Sequence, residues 1–272
     1  MRIIKAILIG SISLFILIFL IVFSWYQTLE TRKQAEQWFS LSKYYRQGNL
    51  RRQWLMEQAI KTDPSFAEAY MQQSISHNKR GDFSTGMALL EKAVELKPVR
   101  YLGYRGSVKL YMLHDYEGAL HDFLRLDSLT PNFRDAPRGE DIYQVMSLCH
   151  EGLGNDSLAL FYLNKAIDEE DPQWVDNQAY LYRSRVQIRL GDFERAMDNL
   201  THGITTNPLA DYYYYLAYAH FQLNNPQKGC EYLSEGVEQF NLGYFRSNPY
   251  YELPGQVYLS DFHELQKQYC EK

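Results

Sequence analysis

GDFSTGMALLEKAVELKP (81–98), HDYEGALHDFLRLDSLTP (114–131) and GDFERAMDNLTHGITTNP (191–208) are near-copies of one pattern. In each the second and third residues are an Asp and an aromatic, and each closes on a proline 17 residues after its first residue. Pro64 and Pro98 lie 34 residues apart, and Pro98 and Pro131 lie 33 apart. A fixed period in this range is the signature of a solenoid, in which each unit buries its apolar face only against its neighbours.

Each unit reads as helix A, a turn, helix B and a closing proline. Small side chains recur in register. Ser74, Ser107, Ser147, Ser184 and Ala217 share a position in helix A, and Gly86, Ala119, Ala159, Ala196 and Gly229 share one early in helix B. Seven residues further on come Ala93, Ala166, Gly203 and Gly236, with Leu126 as the exception. Between them stand Leu90, Phe123, Leu163, Leu200 and Leu233. Small residues at fixed points let two helices approach closely, while the bulky ones fill the space beside each contact.

On these positions the chain resembles the tetratricopeptide repeat (TPR), over residues 33–240 and about six repeats. Units beginning near Ala67, Arg100 and Asn177 match well. The one near Glu140 is shifted at its end, where Asp171-Pro172 closes it. Those near Lys33 and Ala210 are degenerate, as terminal repeats with a solvated face are. An insertion, residues 132–139, lengthens the loop after the third unit. The expected fold is therefore all-α: a TPR-like α-solenoid with an N-terminal transmembrane helix. The expected domains are an anchor at 1–28, the solenoid at 29–240 and a C-terminal capping segment at 241–272. Within that cap, Asp261 and Glu264 suggest a capping box at the start of a short helix.

Residues 6–26, AILIGSISLFILIFLIVFSWY, carry no charge. At 1.5 Å per residue this stretch spans roughly 30 Å, the thickness of a bilayer core. Its length exceeds the apolar region of a signal peptide, and no small-residue cleavage site follows, so the segment reads as an uncleaved single-pass anchor in the lipid bilayer. Arg2 and Lys5 flank its short side, while Arg32 and Lys33 on the far side are accompanied by Glu30 and Glu36. That asymmetry favours a cytoplasmic N-terminus, with the repeats on the periplasmic or extracytoplasmic side.

The chain has 28 basic and 33 acidic residues. Setting aside Arg2 and Lys5 leaves a net charge of −7 on the remainder, which argues against nucleic acid as a partner. None of the three cysteines forms a C-x-x-C pair. Cys149 reads as a small buried hydrophobe. Cys230 and Cys270 either pin the last helix as a disulfide in an oxidising compartment or remain two free thiols.

No catalytic constellation is evident. The seven histidines lack metal-ligand spacing, and Cys149-His150 cannot act as nucleophile and base because adjacent helical residues point about 100° apart. No phosphate-binding or nucleophile-elbow motif occurs. The acidic run 168–171 lies at a helix end and reads as a solvated surface. The sequence points to a non-enzyme without cofactor or metal.

The TPR resemblance implies a groove lined by the A helices. At the groove positions stand Tyr101, Tyr104, Tyr111 and Met112 in the third unit, Arg185 and Arg189 in the fifth, and Tyr214, Tyr218 and Phe221 in the sixth. Tyrosine supplies contact area and one hydrogen bond at low entropic cost, which suits a binding surface; the same residues can equally be wedged between helices as core. Arg185 and Arg189 suit a ligand carboxylate or a salt bridge to acidic neighbours. The implied function is a membrane-tethered scaffold that binds a protein or peptide partner in a bacterial envelope assembly or secretion process. The alternative is a small-molecule sensor using the same groove.

Overall fold

The computed structural model describes residues 2–271, and of residues 2–13 only the backbone. Met1 and Lys272, the ends of the expected anchor and cap, and the Arg2 and Lys5 side chains behind the expected orientation lie outside the described residues. Two compact units divide inside one helix, between Tyr101 and Leu102. The first holds α1 (Arg2–Ser42), α2 (Leu50–Thr62), α3 (Ala67–Lys79), α4 (Phe83–Leu96) and the start of α5 (Pro98–Val108). In the second, α5 runs on as a π-helical turn, Lys109–Leu113. There follow α6 (Tyr116–Leu129), α7 (Ile142–Gly152), α8 (Asp156–Asp168), α9 (Asn177–Arg189), α10 (Phe193–Thr206), α11 (Ala210–Gln222), α12 (Pro226–Asn241) and α13 (Leu259–Tyr269).

All six A-to-B turns are built alike. In the last five a residue in the left-handed region closes helix A directly: Gly81 (φ +83°), His114 (+52°), Gly154 (+74°), Gly191 (+80°) and Asn224 (+54°); in the first, Gly48 (+85°) does so only after a loop of several residues beyond Ser42. The next residue is always Asn or Asp and occupies the N-cap of helix B. Asn49, Asp82, Asp115 and Asn225 accept backbone N–H groups of the following first turn, at 2.8, 3.3, 3.0 and 3.4 Å respectively. The left-handed residue reverses the chain in minimal length, and the Asx side chain satisfies donors that a helix start leaves unpaired. The prolines Pro64, Pro98, Pro131 and Pro208 each follow the C-cap of a B helix, at Asp63, Lys97, Thr130 and Asn207. Even the two degenerate terminal repeats keep this turn.

Turns this short hold the hairpin helices close, and the residues at the recurring small positions sit in the interface. Ser74, Ser107, Ser147, Ser184 and Ala217 are buried, as are Leu90, Phe123, Leu163, Leu200 and Leu233. At Gly203 the reason for smallness is explicit: a Cβ there would lie 2.1 Å from Cε1 of Tyr212. The Tyr212 ring is fully buried, and its hydroxyl donates to the Asn177 carbonyl at 2.8 Å.

Helix α1 runs without a break across residue 28, where the anchor was expected to end. No glycine or proline occurs between Tyr26 and Ser42, so nothing interrupts the helix. Within Leu14–Ser42 an 18-residue window has a mean hydropathy of 1.7, long and apolar enough to cross a membrane, and the apolar side chains up to Tyr26 are exposed. The same helix then buries Ala35, Phe39 and Ser42, with Phe39 edge-on to Phe66 at 5.2 Å and Arg32 paired to Asp63 at 3.1 Å. The apolar segment and the first A helix are thus one element.

The capping box at Asp261/Glu264 is displaced by one turn. Helix α13 begins at Leu259, and the Asp261 carboxylate reaches back to accept the Tyr258 N–H at 2.8 Å, so Asp261 is the third helical residue and not the cap. Phe262 anchors this helix, fully buried and edge-on to Tyr214 at 5.3 Å.

Two substitutions test this construction. Gly203→Ala gains about 1 kcal/mol of helix propensity but meets Tyr212, and overpacking of about 1–3 kcal/mol wins, so thermal unfolding shifts down. His114→Gly removes the Cβ from a left-handed position and stabilises by up to about 1 kcal/mol, read as a raised urea midpoint; an unchanged or lowered midpoint would contradict the turn argument.

Candidate functional site

The site is the A-helix face of the second unit, formed by α5 with its π-turn, α7, α9 and α11. Asx caps set the starts of the two central helices: Asp141 accepts the Tyr143 and Gln144 N–H groups at 2.9 and 3.2 Å, and Asp176 accepts that of Gln178 at 2.9 Å. The face is already occupied. After α12 the chain reverses at Gly243 (φ +89°), and residues 244–258 cross the A helices as an irregular, bent strap before α13.

Arg246 is the strap's deepest anchor. Its backbone N–H and its Nε donate to the two oxygens of Asp211 at 3.3 and 3.0 Å, and Nη1 donates to the Tyr182 hydroxyl at 3.3 Å. Both charged side chains are almost wholly buried, 4% and 1% exposed, which is tolerable only because they pair and their remaining donors and acceptors are met. Nη2 of Arg246 also gathers the carbonyls of Pro254 and Gly255, at 3.2 and 3.0 Å. From the face side, Arg185 donates to the Pro254 carbonyl and the Tyr215 hydroxyl donates to that of Gly255 at 3.2 Å. The Tyr251 ring stacks on Tyr111 at 5.1 Å, with the Arg138 guanidinium 5.8 Å from its centroid.

Strap and burial together alter several of the expected groove residues. Tyr111 and Arg185 are buried beneath the strap, Tyr111 donating to Glu140 at 2.7 Å and Arg185 paired with Glu151. Phe221 is not a groove residue: it is 5% exposed and stacks on Tyr269 at 4.2 Å, inside the C-terminal cap. Tyr101 belongs to the first unit, where it is buried and donates to Glu68 at 2.6 Å. Tyr104, Met112, Tyr214 and Tyr218 remain half-buried, and Arg189 is the most exposed of the set. Arg185 and Arg189 share Glu151, and Arg189 also holds Asp156 at 2.7 Å, so of the two uses expected for them the salt bridge is the one present.

Burial pulls the Arg185 guanidinium down to about 10, so it stays charged at neutral pH. Burial likewise pushes the Tyr111 and Tyr182 phenols well above their ordinary range, leaving them neutral hydrogen-bonding groups, and raises the Glu140 carboxyl. The face is therefore a surface of fixed donors and flat rings. Between Arg185, Ile188, Arg189, Tyr214, Tyr215 and Tyr218 an open hollow of about 250 Å³ remains.

Cys230 of α12 and Cys270 after α13 are bonded, with Cα atoms 5.9 Å apart, closing the loop that contains the strap. Cys149 is fully buried in α7, and burial pushes its thiol far up. Sequence reasoning placed Asp211 at a groove position of the sixth unit but did not single out Tyr182, Arg246 or Tyr251. The available signals were a lone arginine in an aromatic loop and an acidic residue opening a tyrosine-rich helix.

These features define a TPR-type α-solenoid with a self-occupied A-helix face. Among solved structures it is similar to PilF of Pseudomonas aeruginosa (TM-score 0.64, 13% identity, covering 87% of this chain and 99% of that one). It is also similar to PilW, a widely conserved type IV pilus biogenesis factor (TM-score 0.60, 16% identity, 79% and 94% covered). YrrB, a TPR protein with an unusual peptide-binding site, matches with a TM-score of 0.52 and 18% identity over 68% of this chain and 91% of that one. At such identities the likeness concerns the fold. No family model matches the sequence, and no curated protein does.

Closing the 40-residue separation between Cys230 and Cys270 restricts the unfolded chain by about 4 kcal/mol in the loop-entropy picture. Reduction, or Cys230→Ser with Cys270→Ser, lowers stability by up to that amount and speeds amide exchange first in the strap and α13. Equal acceleration in α9 and α10 would show that the bridge does not act locally.

Proposed function

We propose that the protein is a membrane-tethered, non-catalytic adaptor whose second-unit A-helix face holds an extended segment of a protein partner in an envelope assembly. The observation that carries this reading is the strap: a non-helical segment of polypeptide lies on that face, its carbonyls met by Arg185 and Tyr215 and its aromatic ring by Tyr111. The residues offered to the partner are Tyr104, Tyr111, Met112, Arg189, Tyr214 and Tyr218. A peptide site in YrrB and pilus biogenesis in PilW, two proteins of similar fold, agree with that class of role.

Tethering by the apolar part of α1 raises the local concentration of the face near membrane partners, so modest affinity suffices. The Cys230–Cys270 bridge favours an oxidising, extracytoplasmic compartment for the repeats, the same side suggested by Arg2 and Lys5. A small-molecule sensor is less well supported, because the arginines beside the open hollow are already paired with Glu151 and Asp156.

A photo-crosslinking residue at Tyr218, beside the open hollow, and one at Phe161, exposed on α8, separate the two sides of the unit in intact membranes. The expected result is a discrete intermolecular protein adduct from position 218 and none from 161. Adducts from both positions alike, or from neither, would overturn the assignment of the A-helix face.

A further inference from the structure

The strap is held as a ligand is held. Its anchors are side chains of the face, and its deepest anchor is an ion pair. A buried pair such as Arg246–Asp211 adds little stability beyond what an apolar plug of the same volume would give, and its distinctive contribution is specificity. Asp211 is fully buried, with the Tyr182 hydroxyl beside it, so the pocket accepts an arginine fork and penalises neutral or acidic side chains.

The strap also fits incompletely. A hollow of about 280 Å³ remains between it and Leu110, Tyr111, Tyr116 and Glu151. Another of about 430 Å³ opens beside Glu140, Gln178, Arg246 and Tyr251. The strap's backbone joins the face through few main-chain bonds, that from the Ala210 N–H to the Tyr244 carbonyl at 2.8 Å being one.

We infer that this face is a site for an extended peptide bearing an arginine and, five residues towards its C-terminus, an aromatic ring, with a turn beyond that presents two successive carbonyls. Residues 244–258 are its intramolecular competitor. The inference rests on the adaptor reading and adds what the partner segment must carry. The arginine enters the Asp211–Tyr182 pocket, the ring stacks on Tyr111, and the carbonyls meet Arg185 and Tyr215. A strap tethered at both ends acts at an effective concentration of about millimolar, so a free peptide of equal intrinsic affinity is excluded while a membrane-confined partner can compete.

The probe is a fluorescein-labelled synthetic peptide of residues 243–258, titrated by anisotropy against the full-length, detergent-solubilised protein. The wild type is expected not to bind it at micromolar concentration. The variant Arg246→Ala/Tyr251→Ala, with its disulfide intact, is expected to bind. That binding should fall about tenfold or more when the peptide's own arginine is replaced by alanine, or when Asp211→Asn is added to the protein.

A second form guards against misfolding: a protease site replacing Ser247-Asn248, cleaved after folding, should bind the peptide only once cut. If neither the weakened nor the cut strap admits the peptide while helical circular dichroism is retained, or if the arginine-free peptide binds equally, the inference is overturned. Failure here with a surviving adduct at position 218 removes the strap as template and leaves the adaptor reading. Loss of both removes the adaptor reading as well.

Discussion

From the second hairpin on, one local constraint underlies the rest of the structure: helix A ends on a left-handed residue, and an Asx residue immediately caps helix B. The reversal takes so few residues that the two helices of each hairpin must lie in contact along their length. Contact at that distance admits only small side chains at the crossing points, and Gly229 of α12, where a Cβ would lie 2.3 Å from Cε1 of Phe221 in α11, shows what a single added carbon would meet. From this follow the period, the prolines that release the chain from each B helix, and the alternation that turns all A helices of the second unit towards one face. His114 satisfies the constraint without a glycine.

Much of the fold was legible because it rests on such local rules. The recurring serines, alanines and glycines announced their burial through spacing alone, and the proline ruler located the hairpin ends. The groove was legible only in direction. A periodic pattern tells which side of a helix faces a neighbour, and the tetratricopeptide resemblance built on it implied that Tyr111 and Arg185 stand on the A-helix face. It has no term for a non-repeating segment that returns from far along the chain. The Arg246–Asp211 pair joins residues 35 apart with no periodic relation, so the burial of Tyr111 and Arg185 beneath the strap was invisible to pattern. Phe221 was misplaced for a related reason. At the terminal repeat, the position that faces a groove elsewhere faces the cap, where Tyr269 stacks on it.

The charge on the face follows the same division between local and distant determinants. Arg185 and Arg189 lie one turn apart and meet a single carboxylate, Glu151, contributed by the preceding A helix. That shared anion fixes two guanidinium planes at once, leaving Arg185 free to direct a donor towards a backbone carbonyl. Preorganised donors of this kind read main chain, whereas the Asp211 pocket reads one side chain. The two together hold the strap in one register.

The unbroken course of α1 carries a mechanical meaning of its own. With its apolar portion in a bilayer, the helix that leaves the lipid is the helix that packs on α2, and no swivel separates them. Rotation of the first hairpin about the membrane normal is then locked to the azimuth of the buried helix, each residue advancing the face by about 100° and lifting it by about 1.5 Å. A bilayer holding that segment would thus set the compass bearing of the first hairpin as well as its height.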